Sequence, residues 1–390
     1  MRFASAVSEN ESTADAVDEV LAAAREAAID ADLTFLFFTP HHAAEARSIT
    51  ERLWRELDPQ VMLGCSAEGV IGGDREVERA PGMSLLVGQL PGVRLHPFHI
   101  AADEWRDVLA DREELLQRLA HGPETRAVIG FGDPFTTPTT PFLPALDAAA
   151  PGLPLIGGMA SGARQPGENV LVRNDELLED GFVGVSLSGA VEVTTVVSQG
   201  CRPVGRAMVV TRSRENVIEQ LGGRPALTAL REMVDDMSDA DKELLGNGLL
   251  IGRAISEYRE SFGRGDFLVR NLMGVDQNSG AIAVTDFVRV GQTVQFHVRD
   301  AGTATEDLAL LLASQQSAEP APGAALLFSC NGRGTRMFDQ PCHDVSAARR
   351  AMPRTPVAGF FAAGELGPIG GKNFVHGHTA SLALLRPRSS

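Results

Sequence analysis

Three hexapeptides of one pattern set the terms for this chain: glycine, two residues, alanine, one residue, glycine. They are GCSAEG at 64–69, GGMASG at 157–162 and GFFAAG at 359–364, each directly after a short apolar run. Glycine tolerates positive φ and close approach of another group because it has no Cβ, so each copy predicts a sharp loop at a strand end. The surroundings recur too. LTFLFF (33–38), a helix near 42–57 and Pro59 precede the first copy; AVIGF (127–131), a helix near 142–149, Pro151 and Pro154 precede the second; ALLFSC (325–330), a helix near 344–352, Pro353 and Pro356 precede the third. A further strand follows each copy, at 83, 182 and 379. The same order of strand, helix, proline, loop and strand predicts one supersecondary unit used repeatedly. A fourth, degenerate copy is expected at 280–298, where GAIAVTDFVRVGQTVQFHV aligns with the closing strands of the first two.

The fold class implied is α/β: two similar domains of mixed β-sheet flanked by helices, built from repeated β-α-β units. At 390 residues two domains fit the usual domain size. The boundaries expected are an N-terminal helix within 1–29, a first domain at 30–200 with two repeat units, and a second at 201–390. The texture changes near 200, where Cys201 is followed by Arg202, Arg206, Arg212 and Arg214, and helices are expected near 214–221, 225–236 and 238–245.

Charge narrows the partners. Lys and Arg total 35 against 51 Asp and Glu, a net charge of −16, which repels phosphate backbones and anionic lipid and argues against nucleic acid and membrane as partners. Four cysteines with no C-x-x-C pair suit free thiols in a reducing compartment. The amino terminus has no apolar signal core, and no apolar run nears the roughly 18 residues of a membrane span. A cytoplasmic location is expected.

Candidate binding residues gather at the loops. Gly64, Cys65 and Ser66 belong to the first, Gly157, Gly158 and Ser161 to the second; Cys330, Asn331 and Arg333 lie in FSCNGRGTRMF (328–338), and Glu365, Gly370, Gly371, Asn373 and His376 in the final glycine-rich stretch. Arg270 and Asn271 lie in GDFLVRNLMGVD (265–276). Glycine-rich turns expose successive amides to a carboxylate or phosphate. Arg270, Asn271 and Arg333 suit an anionic group, bidentately for an arginine, and Glu365 suits an amine, so an amino acid or similar zwitterion fits the set. For Arg270 a structural ion pair is the alternative, because an unpaired buried charge is costly. An enzyme would use Cys330 as nucleophile with His376 or His378 as base and Glu365 as orienting group, but no nucleophile signature is present and none is expected to operate. Cys342, His343, His376 and His378 lack the paired spacing of a zinc site, so no metal is expected.

The combination LVRNLMGVD, GAIAVTDFVRVGQTVQFHVRDA, CNGRG and AGELGPIGGKNFVHGHTASLAL resembles the C-terminal half of the FIST (F-box and intracellular signal transduction) family. GCSAEGVIGG, FGDPF and IGGMASG resemble its N-terminal half, and the likeness runs from about residue 30 to about 385. The resemblance implies a bacterial intracellular sensory module that binds small ligands such as amino acids and signals through a separate protein such as a kinase. No cofactor is expected; the resemblance also offers a haem-based nitric oxide sensor, as in some family members, for which His376, His378 or Cys330 would be the candidate axial ligands. A protein–protein adaptor without a ligand is the alternative.

Overall fold

The computed structural model of the chain describes residues 1–258, 262–263 and 265–388. The fold is mixed α/β, with mixed sheets flanked by helices, in two compact units. One unit comprises Met1–Val197, Leu308–Val375 and the chain from Thr379 onward; the other comprises Ser198–Asp307 with His376–His378.

The first unit is a threefold repeat. Repeat 1 has an opening strand (Arg2–Ser8), a helix (Thr13–Glu26), a first strand (Leu33–Phe38), a helix (Ala46–Leu57), a second strand (Val61–Ser66), a hairpin (Gly69–Gly72, Arg75–Glu78) and a closing strand (Met83–Gln89). Repeat 2 has the same elements in Val93–Ile100, two short helices (Trp105–Ala110, Arg112–Arg118), Thr125–Gly132, Thr139–Ala149, Leu155–Met159, a hairpin (Leu171–Arg173, Glu176–Leu178) and Phe182–Gly189. In repeat 3 residues 200–300, all of the second unit, lie between the opening strand Val191–Gln199 and the helix Ala301–Gln316; Ala324–Cys330, His343–Ala351, Val357–Ala362, a hairpin (Glu365–Ile369, Lys372–His376) and Thr379–Pro387 follow. The expected C-terminal domain at 201–390 is therefore divided, because the third repeat folds with the first two and the second unit is inserted within it.

In every repeat the first and second strands are parallel and the closing strand lies antiparallel on the other side of the first. The hairpins are exchanged cyclically. The hairpin of repeat 2 extends the sheet of repeat 1, that of repeat 3 extends the sheet of repeat 2, and that of repeat 1 extends the sheet of repeat 3. No repeat completes its sheet alone, which is why the three fold as one body.

The first glycine of each motif has a packing reason. Gly64, Gly157 and Gly359 stand at equivalent places on the second strands, opposite Leu36, Gly130 and Leu327. An added Cβ would lie 2.0, 1.8 and 1.8 Å from those residues' carbonyl oxygens, so only glycine allows the parallel pair to close. Beside them Phe37, Phe131 and Phe328, one from each first strand, pack around Phe360 with ring centroids 4.9–5.6 Å apart. All four are fully buried.

The second unit is an antiparallel sheet closed on itself. Its strands run Cys201–Arg214, Thr293–Arg299, Leu249–Ala254, Phe267–Val275, Ile282–Val284 and Val217–Leu221, and the last pairs back with the first. The closed sheet encloses Ile218, Ile251, Ile282, Phe296 and Val298.

Several expectations are corrected. Residues 217–221 are a strand rather than a helix: β-branched Val217 and Ile218 suit a pleated surface, and Ile218 faces the core. Ile282–Val284 pairs with Val217–Leu221 and Phe267–Val275, not with Thr293–Arg299, so 280–298 is no fourth repeat. The N-terminal 29 residues begin with a strand paired to Met83–Gln89, and the helix after it is capped by Ser12, whose side chain accepts from the Asp15 amide.

Candidate functional site

The three glycine loops of the first unit meet. The Ser161 hydroxyl, from the second, accepts from the Glu68 amide of the first at 2.9 Å and donates to the Phe361 carbonyl of the third. The Ser161 amide donates to the Ser66 carbonyl at 3.3 Å, Met159 to Gly364 at 2.8 Å and Ala363 to Met159 at 3.0 Å. The recurring alanines Ala67, Ala160 and Ala362 are fully buried. At Gly158 an added Cβ would lie 2.8 Å from that of Ala362, so small residues set how closely the loops approach.

The loop after the first strand of repeat 3 supplies the charge. Arg333 is fully buried and grips Asp344 through two hydrogen bonds of 2.7 Å, one from Nε and one from Nη2. The Ser329 hydroxyl donates to Asp344 at 2.7 Å, and the His343 ring lies 2.8 Å from the other carboxylate oxygen. Burial alone would raise Asp344, but the Arg333 guanidinium holds it below the usual carboxylate range. Glu76, from the exchanged hairpin of repeat 1, accepts from the Val345 amide at 2.7 Å in the first turn of helix His343–Ala351. Burial and then the charge of Asp344 push Glu76 up to about 8. Glu78 of the same hairpin accepts from the Thr335 amide and hydroxyl at 3.0–3.1 Å. Gly334, at φ +56°, has no room for a side chain, since a Cβ would lie 2.5 Å from the Glu78 carboxylate.

Glu365 pairs in register with Gly158 and is fully buried. One carboxyl oxygen accepts from the Thr379 amide at 3.3 Å, the Cys330 thiol also bonds to the carboxyl, and Oε1 has no partner among the described residues. Burial pushes the group well above the ordinary carboxylate range.

A depression opens beside these loops, lined by Glu68, Gly69, Glu78, Arg79, Asn331, Arg336 and Phe361. Two carboxylates and two guanidiniums share its wall. Arg336 is held by both oxygens of Glu68 and donates to the Asn331 carbonyl. Arg79 is exposed, at φ +55°, and its side chain has no hydrogen-bond or ion-pair partner among the described residues. The enclosed volume is about 10 Å³, room for roughly one water.

The residues singled out in the sequence divide accordingly. Gly158, Ser161, Cys330, Asn331, Arg333 and Glu365 come together at the loops, while Gly157 has the strand-packing place of Gly64. Ser66 is buried there, its hydroxyl accepting from the Val170 amide at 2.9 Å. Cys65 points into the core and burial raises its thiol, and Gly64 serves strand packing. Arg333 is committed to Asp344, which corrects its assignment as an open anion holder. Gly370 and Gly371, at φ +60° and +76°, form an exposed hairpin turn with open space where a side chain would stand. Asn373 is a clamp: its amide side chain accepts from Leu155 N at 2.8 Å and donates to Asp147 and to the Leu153 carbonyl. His376 is buried at a strand end and groups with the second unit. In that unit Arg270 pairs with Asp286 at 3.0 Å and Asn271 bonds the His378 ring at 3.0 Å. Glu68, Glu78, Arg79 and Arg336 were missed, although Glu68 is the fifth residue of the first motif.

Among the described residues no helix is long and apolar enough to cross a membrane, and no group of three His, Cys, Asp or Glu is placed to hold a metal ion. The chain matches the FIST N domain over residues 32–224 and the FIST C domain over 226–368. It is 39% identical over 354 residues, 90% of each chain, to an uncharacterized protein of Mycobacterium tuberculosis (strain ATCC 25618 / H37Rv). It is 37% identical over 358 residues, again 90% of each, to an uncharacterized protein of Mycobacterium bovis. A crystal structure of a cyanuic acid hydrolase from A. caulinodans covers 99% of this chain and 100% of its own at 9% identity and a TM-score of 0.37, a likeness that carries no functional inference. On both domain matches and on these relatives, the chain belongs to the FIST family of signal-transduction sensory domains.

Proposed function

We propose that this protein is a cytoplasmic sensory module that binds a small zwitterion, amino-acid-like in its charges, at the three glycine loops, and hands its occupancy to a separate signalling protein such as a kinase. It is a binding module rather than an enzyme. The observation that carries this reading is the meeting of the three loops beside a depression walled by Glu68, Glu78, Arg79 and Arg336. Guanidinium forks match a carboxylate bidentately, and carboxylates match an ammonium group, so the wall presents both halves of a zwitterion's complement. Unlike a rigid cleft, the depression has to widen, and the side chain of Arg79, without a partner among the described residues, allows it.

The test is a thermal-shift screen of the full chain against the standard amino acids, small carboxylates and small amines, because a ligand of the folded state raises the melting temperature with its concentration. A dose-dependent shift, diminished in Arg79→Ala, supports the reading. If no compound on the panel shifts the transition, the site assignment fails and an adaptor role takes its place.

A further inference from the structure

Arg336 already holds a carboxylate. Both oxygens of Glu68 contact its two terminal nitrogens, with one contact at 3.1 Å and the other shorter, the forked arrangement in which arginine takes up a free carboxylate. The two residues come from different repeats, Glu68 from the first glycine loop and Arg336 from the loop after Cys330. Their side chains are 31% and 36% exposed, so the pair can exchange with solvent at little cost.

The neighbours show which carboxylate is the movable one. Glu78 is tied to Thr335 by three hydrogen bonds, and its backbone lies in the hairpin Gly69–Gly72, Arg75–Glu78. At the place in the second motif equivalent to Glu68 stands Ser161, fixed from both sides by the first and third loops. Among the described residues the Glu68 side chain is bonded to Arg336 alone. Its backbone is fixed by the Ser161 hydroxyl, so the carboxylate can rotate away while the loop stays in place.

We infer that Glu68 is an internal stand-in for the ligand's carboxylate: it fills the fork of Arg336 in the free protein, and a carboxylate ligand binds by displacing it. This rests on reading the depression as the ligand site, and it makes Arg336 the anion anchor and Glu68 the residue that sets the threshold for binding. Ligands without a carboxylate gain nothing from the exchange, because they leave Arg336 with Glu68. Glu78, which stays in place, faces the cationic end of a zwitterion, and Arg79 closes on the anionic end.

The test is calorimetric titration of the full chain with acetate, a carboxylate with no amine, for the wild type, Glu68→Gln, Glu68→Ala and Arg336→Gln, with circular dichroism melts to establish that each variant folds. Freed from competition with an exposed ion pair of ordinary strength, both Glu68 variants bind acetate roughly fivefold more tightly than the wild type. Arg336→Gln binds it at least about tenfold more weakly. The opposite signs for two partners of one ion pair are the diagnostic, since a merely structural bridge would move both variants the same way. Equal or weaker acetate binding in the Glu68 variants, binding retained in Arg336→Gln, or no acetate binding by any of the four overturns the inference. If amino acids still shift the wild-type melting temperature in that case, the site reading survives without the stand-in; if they do not, both fall.

Discussion

Replacing Arg333 by methionine removes the counter-charge of Asp344 while keeping most of the buried volume. In the wild type both side chains are essentially inaccessible, at 0% and 1% exposure, and two hydrogen bonds of 2.7 Å join them. Breaking one side of such a pair strands a charge in the interior, at about 3–5 kcal/mol. Asp344 keeps its contacts with Ser329 and His343, so the lower half of that range is expected. The double variant Arg333→Met, Asp344→Asn buries no lone charge, and its loss should shrink to about 1–2 kcal/mol, the cost of imperfectly paired polar groups. The deficit of the single variant should also narrow as pH falls from 7 to 4, because Asp344 without its guanidinium takes up a proton more readily. The assay is urea denaturation followed by tryptophan fluorescence: the chain's two tryptophans, Trp54 and Trp105, both belong to the first unit. A single-variant loss under about 1 kcal/mol, or a double variant no more stable than the single, refutes the reasoning.

Glu76 binds its proton up to about pH 8 in the folded protein against an ordinary value of 4.5, so between those values the unfolded chain holds fewer protons and stability falls as pH rises. The contribution is complete below about pH 4.5, is lost as pH rises through about 8, and amounts to roughly 5 kcal/mol. Glu76→Gln should flatten that slope in urea melts at pH 5 and pH 8, and parallel curves for the two proteins would count against it. Gly359→Ala, with its new Cβ 1.8 Å from the Leu327 carbonyl, should cost more than about 3 kcal/mol, whereas Gly371→Ala in an open turn should cost about 1–2 kcal/mol for its positive φ; equal losses in denaturant titrations would contradict the packing role. Arg270→Ala should weaken the second unit by leaving Asp286 without this partner, and an unchanged circular dichroism melt would contradict it.

The repeat was legible because its signal is a backbone constraint. Gly64, Gly157 and Gly359 lie where a Cβ would strike the neighbouring strand, so the glycines and their spacing had to persist in all three copies. What the sequence does not carry is the destination of the hairpins. GVIG (69–72) gives no sign that it pairs with Ala358–Phe360 near the other end of the chain, since strand partners are chosen by long-range packing. The insertion of the second unit between Val191–Gln199 and its helix hid for the same reason. In the site, Arg333 and Arg336 share one short loop and one chemistry, yet one is sealed against Asp344 and the other opens to solvent. Residue type suggests both for an anion; burial distinguishes them. Asn373 shows the converse, for its polar character came from clamping Leu153, Leu155 and Asp147 rather than from a ligand.

Hydrogen exchange of the full chain, read by mass spectrometry with and without an amino acid that raises its melting temperature, tests the ligand site most directly. Binding at the meeting point of the three loops slows exchange at residues 66–69, 159–162 and 331–336 and leaves the second unit at 198–307 as it was. Protection confined to 198–307, or none at the loops at saturating ligand, would contradict a site built from the glycine motifs.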